Sequence, residues 1–478
     1  MLFNSINFFV FFIVVTGLYF TIPHKFRWGL LLLASCYFYM SFIPIYILIL
    51  ALTIGVDYIA ALQIEKTSGK KRKLYLVISI ISTCAILFVF KYFNFFNSNF
   101  ESLAHVLHWN YPIGALKLIL PLGLSFHTFQ SLSYVIEVYR GNQKAERNFG
   151  IYSLYVMFYP QLVAGPIERP QNMLHQFYEK HDFDYERVKS GLFLMLWGLF
   201  KKMVLADRLA LYVNEVFNNP GKYHGMSVIV AIIFFAFQIY FDFSGYSDIA
   251  IGCARVMGFR LMTNFSFPFS SKSISEFWRR WHISLSSWLN DYLYTPITIS
   301  KRGWGKYAII YAVLVTYFMS GVWHGAGWTF IIFGTLHGIA VTYEILTRKL
   351  RKKISKVVPK RFYDIFSILT TFAFACFAWV FFRARTVQEA FGIIKAIFKL
   401  NSFSSIFGVL LSPFEILLFI LLSAIVFYTE YKGTKYGSID RAVLSHPKLF
   451  RWLTYMSLIV GIAILGNFDK IDFIYFQF

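Results

Sequence analysis

The sequence predicts an all-α integral membrane protein, a polytopic bundle of about eleven transmembrane helices with added re-entrant or interfacial helices. Three observations predict it. Of 478 residues, 57% are hydrophobic and only 15% charged, too few charges to cover a soluble surface. Seven long stretches carry no Asp, Glu, Lys or Arg: Met1–Pro23, Trp28–Val56, Leu74–Phe90, Ser227–Phe241, Tyr307–Tyr343, Ile365–Phe382 and Trp452–Phe468. Lipid offers the backbone amides no partner, so such stretches cross it as helices. The basic residues, finally, gather in short loops between them.

The elements follow in order. Phe3–Ile22 is the first expected span, and Trp28–Ala61 holds two helices interrupted near Pro44, whose ring removes a helical hydrogen bond. Leu74–Phe96 and Leu118–Val138 come next. Ile151–Pro170 is apolar but broken by Pro160, Gly165, Pro166 and Pro170, the pattern of a re-entrant or cavity-lining segment. Val188–Leu205 and Ser227–Phe241 span before a polar middle section. Tyr307–Val322, Ala326–Leu346, Ile365–Phe382, Phe414–Tyr428 and Trp452–Leu465 complete the set, which is read as a single membrane domain over residues 1–478. The first stretch lacks a basic leader and an Ala-x-Ala site, so it is expected to be a retained helix.

The net charge of +22 comes from 46 Lys and Arg against 24 Asp and Glu. No nucleic-acid-binding motif accompanies it. Its placement in loops fits the positive-inside rule and anionic head groups, so membrane lipids rather than nucleic acid are the expected partner. Lys70–Lys73 and the basic run from Arg348 to Arg361 are expected on the cytoplasmic side. Lys301, Arg302 and Lys306 form a third basic loop two spans earlier. The turn between those spans, Ser320–Trp328, then lies within or beyond the membrane. Cys36, Cys84, Cys253 and Cys376 are far apart in apolar surroundings and are read as buried small hydrophobes.

Three constellations carry candidate chemistry. His324 lies in an uncharged stretch, flanked by Gly321, Gly325 and Gly327 with Trp323 and Trp328 beside it. A histidine at membrane depth marks a site or pathway, or else one hydrogen bond in a small-residue packing seam. For His337, in Gly334–Gly338, the packing role is favoured. Phe277–Asp291 is the second. On one helix Trp278, His282, Leu285 and Leu289 share a face, and an interfacial helix explains Trp278, Arg279 and Arg280 but not a histidine on the apolar side. Third, Gln238–Asp248 closes an apolar span with Asp242 and Asp248, read as charge partners for Arg255 or Arg260 rather than acid/base groups. His282, His324 and His337 also suffice in number for a zinc site, with unspecific spacing.

These segments resemble the membrane-bound O-acyltransferase superfamily, in particular its bacterial alginate O-acetyltransferase type. The likeness runs through Gln130–Tyr134, Tyr139–Gly141, Tyr159–Ile167, Gly198–Lys202, Gln238–Gly252, Asn264–Pro268, Phe277–Tyr294, Gly321–Gly338 and Trp379–Ala384. The resemblance implies a helical bundle around a central tunnel, with His324 and His282 as catalytic histidines. Trp323, Trp281, Asp242, Asn264, Asp291, Arg279, Arg280 and His337 are candidate substrate-binding residues, with lipid snorkelling the alternative for the two arginines. The activity implied is transfer of an acyl group, in the first place acetyl, from a cytoplasmic thioester to an extracytoplasmic polysaccharide, directly or through a secreted or membrane-anchored partner. The donor expected is acetyl-coenzyme A or an acyl carrier thioester, with no resident cofactor or metal, and the expected location is the inner cell membrane. After Asp291–Tyr294 alginate-type members continue Gly-Gly-Asn-Arg, whereas this chain reads Thr295-Pro296-Ile297-Thr298, which argues against alginate as acceptor. Two other readings stand beside this one: a transporter or flippase with histidines as a proton relay, and a lipid or D-alanyl O-acyltransferase of the same superfamily.

Overall fold

The computed structural model describes residues 1–163, 165–399, 406, 409, 411–468 and 473–474. Every regular element among them is helical, as lipid solvent demands. Eight helices among the described residues are long and apolar enough to cross a membrane, so the chain is a multi-pass membrane protein. About eleven spans were expected. The difference lies in segments that the chain shortens or interrupts. The first is a helix of 16 residues, Ile6–Thr21, and the fifth begins only at Leu124. The helix expected over Val188–Leu205 gives way at Lys201 to a π turn.

The helices form two compact units. One comprises residues 1–195 and 249–262. It contains α1 (Ile6–Thr21), α2 (His24–Met40), α3 (Ile47–Lys66), α4 (Gly69–Leu87), α5 (Phe93–Val106), α6 (Leu124–Arg140), α7 (Phe149–Met157), α8 (Pro170–Met173), and the start of α9 (Tyr185–Phe200). A 3₁₀ turn at Pro44–Tyr46 separates α2 from α3, as the proline predicts. The α3, α4 and α6 helices pack together, and buried polar contacts pin them. Asp57 of α3 accepts from Ser79 and Thr83 of α4, and Thr53 meets His127 of α6 at 3.0 Å. Beyond α7 the described residues form no regular helix before Pro170. Phe158, Tyr159, Gln161, Leu162, Ile167 and Glu168 there are all buried, and non-helical backbone at membrane depth requires such cover.

The other unit comprises residues 196–248 and 263–478. It holds α10 (Asp207–Asn218), most of α11 (Met226–Met257), α12 (Ile274–Arg280), α13 (Ile283–Leu289), α14 (Thr295–Ser300), α15 (Lys306–His324), α16 (Trp328–Leu346), α17 (Arg348–Val357), α18 (Lys360–Arg383), α19 (Val387–Ile397), α20 (Pro413–Tyr436), α21 (Ile439–Leu444) and α22 (Lys448–Leu465). The α11 helix does not end near Asp248 as expected but continues to Met257. The α15–α16 hairpin is the unit's tightest pair, and glycine is the reason. A Cβ at Gly321 would stand 2.3 Å from the Phe330 carbonyl, and one at Gly334 2.3 Å from that of Tyr317. Only hydrogen fits there, so the backbones touch.

The cysteines depart from expectation in part. Cys253 and Cys376 are buried, but Cys36 is half-buried and Cys84 exposed. On an apolar helix a thiol sits as readily outside as inside.

Candidate functional site

Two segments of the second unit build the site. The α15 helix runs from the basic loop at Lys306 and ends on His324 itself; Gly325–Gly327 then turn the chain into α16. His324 is only 4% exposed. Its ring lies 5.0 Å from Trp323, 5.7 Å from Phe333 and 5.4 Å from Phe382.

The second segment corrects the single-helix reading of Phe277–Asp291. The chain breaks at Trp281–His282, so Trp278, His282, Leu285 and Leu289 do not share a helical face. The α12 helix starts on Ser273, whose side chain accepts from the Glu276 N–H. Glu344 of α16 holds the same end, accepting from the Ile274 and Ser275 amides and the Ser275 hydroxyl. His282 adopts the left-handed conformation, φ 44° and ψ 55°, uncommon for a residue with a Cβ. Asn264 supports the break. Its carbonyl accepts from the Ile283 N–H, and its Oδ1 accepts from the Ser284 N–H and hydroxyl. Asn264 therefore caps α13 and fixes the backbone beside His282.

His282 is 1% exposed, with its ring 4.6 Å from Phe243 and 5.9 Å from Trp323. Burial among these aromatic groups pushes its imidazole down to about 3, because a charged ring there would lose its hydration. The Trp323 indole thus faces both histidines, which lie 42 positions apart in the chain (324 − 282).

His337 shares the Phe333 ring with His324. Its Nδ1 accepts from the Trp278 indole N–H at 3.1 Å, joining α16 to α12 in the packing role the sequence favoured. Trp281 is buried among Phe277, Phe265 and Trp379. Arg280 pairs with Glu276, Arg279 is exposed, and exposed Asp291 accepts from the Asn290 amide. Among the described residues no three His, Cys, Asp or Glu side chains are placed to hold a metal ion, so the three-histidine zinc reading has no geometric support.

Asp242 and Asp248 are charge partners, as expected, and both meet lysines. The π turn at Lys201–Ala206 carries Lys201 and Lys202 into the interior. Lys201 meets Asp248 at 2.6 Å and Glu430 at 3.1 Å. Lys202 meets Asp207 at 2.7 Å and Asp242 at 2.8 Å. Asp242 also accepts from the Ile474 N–H. This ionic cluster escaped sequence reasoning, although two adjacent lysines in an apolar run and a glutamate inside α20 were its signals.

A cavity of about 550 Å³ lies against α12, α13, α15 and α16. Arg279, Thr316, Ser320 and Asn290 supply polar groups to its wall, with Trp278 and Tyr317 among its apolar ones. Neither histidine ring lines it, but Ile283, next after His282, and Ser320, one turn before His324, do.

Comparison with known proteins places this arrangement. The pattern of MBOAT, the membrane-bound O-acyltransferase family, matches residues 147–386, which include both histidines. A peptidoglycan O-acetyltransferase of Helicobacter pylori is 36% identical over 402 residues, covering 78% of this chain and 74% of the relative. A probable alginate O-acetylase, AlgI, of Pseudomonas aeruginosa is 34% identical over 404 residues, 84% of this chain and 75% of its own. A teichoic acid D-alanyltransferase of Bacillus subtilis is 28% identical over 279 residues, 56% and 70% respectively.

Proposed function

Because the chain belongs to the membrane-bound O-acyltransferase family and is an O-acyltransferase, we propose that it moves an acetyl group from a cytoplasmic thioester to a hydroxyl of an extracytoplasmic envelope polysaccharide. The relatives named for peptidoglycan and alginate O-acetylation support that acceptor class. The donor is acetyl-coenzyme A or an acyl carrier thioester. The location is the inner membrane, with the basic α17 helix in the cytoplasm. Delivery to the polysaccharide is direct or through a secreted or membrane-anchored acetylation partner.

The single observation that carries the mechanism is the placement of His324 and His282 against one indole, Trp323. An alcohol is far too weak an acid for imidazole to ionise it beforehand. His324 therefore accepts the hydroxyl proton while the oxygen attacks the thioester carbonyl, a general-base contribution of about 10²–10⁴ in rate. The tetrahedral intermediate collapses by breaking the C–S bond, and the imidazolium returns its proton to the departing sulfur. The products are the ester and a thiol, and His324 is restored. His282, locked by the left-handed backbone and Asn264, orients the acceptor or polarises the carbonyl.

The test is His324→Gln in purified protein. Glutamine hydrogen-bonds but cannot take up a proton, so acyl transfer is expected to be as low as in His324→Ala, with the melting temperature near that of the unaltered chain. Substantial transfer by His324→Gln would remove the general base from the mechanism while leaving the family membership intact.

A further inference from the structure

The α17 helix, Arg348–Val357, buries none of its residues. Six of its ten residues are cations (Arg348, Lys349, Arg351, Lys352, Lys353 and Lys356) and none is acidic. Arg348 and Lys352, Lys349 and Lys353, and Lys352 and Lys356 each stand four apart, a spacing at which like charges destabilise a helix. Arg348 and Lys349 also occupy the first turn, at the positive end of the helix dipole. Among the described residues none of the six pairs with a carboxylate. With ten residues the helix is shorter than the ~12–15 at which an isolated helix is even marginal in water. Charge, dipole and length all oppose it, and no buried contact offsets them.

The apolar residues show what does. Leu350, Ile354 and Val357 follow one another at spacings of four and three, which gathers them on an arc of about 60°. They are 57%, 42% and 85% exposed. Lys353 and Arg351 flank the arc, and the other cations fill the rest of the circumference. A helix with an apolar arc and a strongly cationic remainder suits the plane where acyl chains meet head groups. Its place in the chain agrees. Only Thr347 separates α17 from α16, and only Val358 and Pro359 separate it from α18. Both neighbours are long and apolar enough to cross a membrane, so α17 is tied at both ends to the membrane surface.

We infer that α17 is a docking surface for the anionic membrane, with its cations on the phosphates of acidic phospholipids and Leu350, Ile354 and Val357 among the acyl chains. The phosphates relieve the repulsion within the helix, and the leaflet covers the apolar arc. Helix and lipid contact therefore form together. Each Lys or Arg near an anionic surface is worth about 5-fold in binding, so several acting at once outweigh the repulsion. An acidic soluble protein would neutralise the same charges, but the two flanking spans hold α17 against lipid. Docking does not depend on the acyl transfer proposed above.

The experiment follows hydrogen exchange of the α17 amides by mass spectrometry. The full chain is placed in nanodiscs of phosphatidylcholine, or of phosphatidylcholine mixed with phosphatidylglycerol. In the unaltered chain the α17 amides are expected to exchange about 10-fold or more slowly when phosphatidylglycerol is present. Lys349→Gln/Lys352→Gln/Lys353→Gln/Lys356→Gln removes four of the six charges, and its rates in the two discs are expected to agree within about 2-fold. Unchanged exchange in α15 and α16 checks that this variant is folded. Leu350→Ser/Ile354→Ser keeps the charges and strips the arc, and the slowing by phosphatidylglycerol is expected to shrink at least about 3-fold. Equal exchange of the unaltered chain in the two discs overturns the lipid surface, and so does slowing by phosphatidylglycerol that survives the four glutamines. Added polyglutamate that slows α17 in neutral discs as much as phosphatidylglycerol does also overturns it, and assigns the charges to an acidic protein.

Discussion

Replacing Lys202 by methionine isolates the buried ionic cluster. Methionine keeps most of the lysine's length and volume, so little cavity forms and the change is chiefly electrostatic. Lys202 Nζ lies 2.7 Å from Asp207 and 2.8 Å from Asp242, and its side chain and theirs are each no more than 4% exposed. Removing the cation leaves both carboxylates out of water with no opposite charge. Asp242 keeps the Ile474 N–H at 2.7 Å, which offsets only part of the loss. Breaking a buried pair in this way costs about 3–5 kcal/mol. In a unit of this size that corresponds to a fall of about 6–10 °C in detergent melting temperature. Lys202→Met/Asp207→Asn removes one of the stranded charges and is expected to recover about 1–3 kcal/mol of it. The assay is thermal unfolding in one detergent followed by intrinsic fluorescence, with acyl transfer measured per folded molecule. A fall below about 2 °C, or a double variant that loses the full sum of the two single changes, refutes the claim that the cluster holds its charges against the low-dielectric interior.

Three further outcomes are expected. His282→Gly keeps the left-handed backbone but opens a cavity where the ring packs, so a stability loss of about 2–4 kcal/mol is expected with acyl transfer lost per folded molecule; full activity in the folded variant would mean that the ring has no role. Asn264→Ala strips the cap from the Ser284 N–H and hydroxyl, and a loss of about 1–3 kcal/mol with a fall in turnover is expected, whereas unchanged turnover would detach Asn264 from His282. A cysteine in place of Lys353 should react with an impermeant maleimide only after the cells are opened, and labelling of intact cells would reverse the orientation.

The sequence by itself determined the solvent and the class of fold, and it singled out the two histidines as candidates. Uncharged stretches of membrane length leave the backbone one way to satisfy its amides, so Tyr307–Tyr343 and Ile365–Phe382 read directly as helices. Pro44 and the glycines at 321 and 334 announced a break and a close contact, because their effects are local to the backbone. What the sequence could not decide was which side chains meet. His282 looked like one face of a continuous helix, since nothing in Trp281-His282-Ile283 marks a stop; the stop comes from Asn264, outside that segment, which holds the Ile283 and Ser284 amides. Asp242 and Asp248 read as charge partners, but that a π turn brings Lys201 and Lys202 to them from well upstream was not legible. Nothing in the sequence marked Thr316 and Ser320, and only packing of α15 against α12 and α13 turned that face toward a cavity. Local propensity and hydropathy act along the chain, whereas ion pairs, caps and cavities are made between segments far apart in it, and only the tertiary structure brings those together.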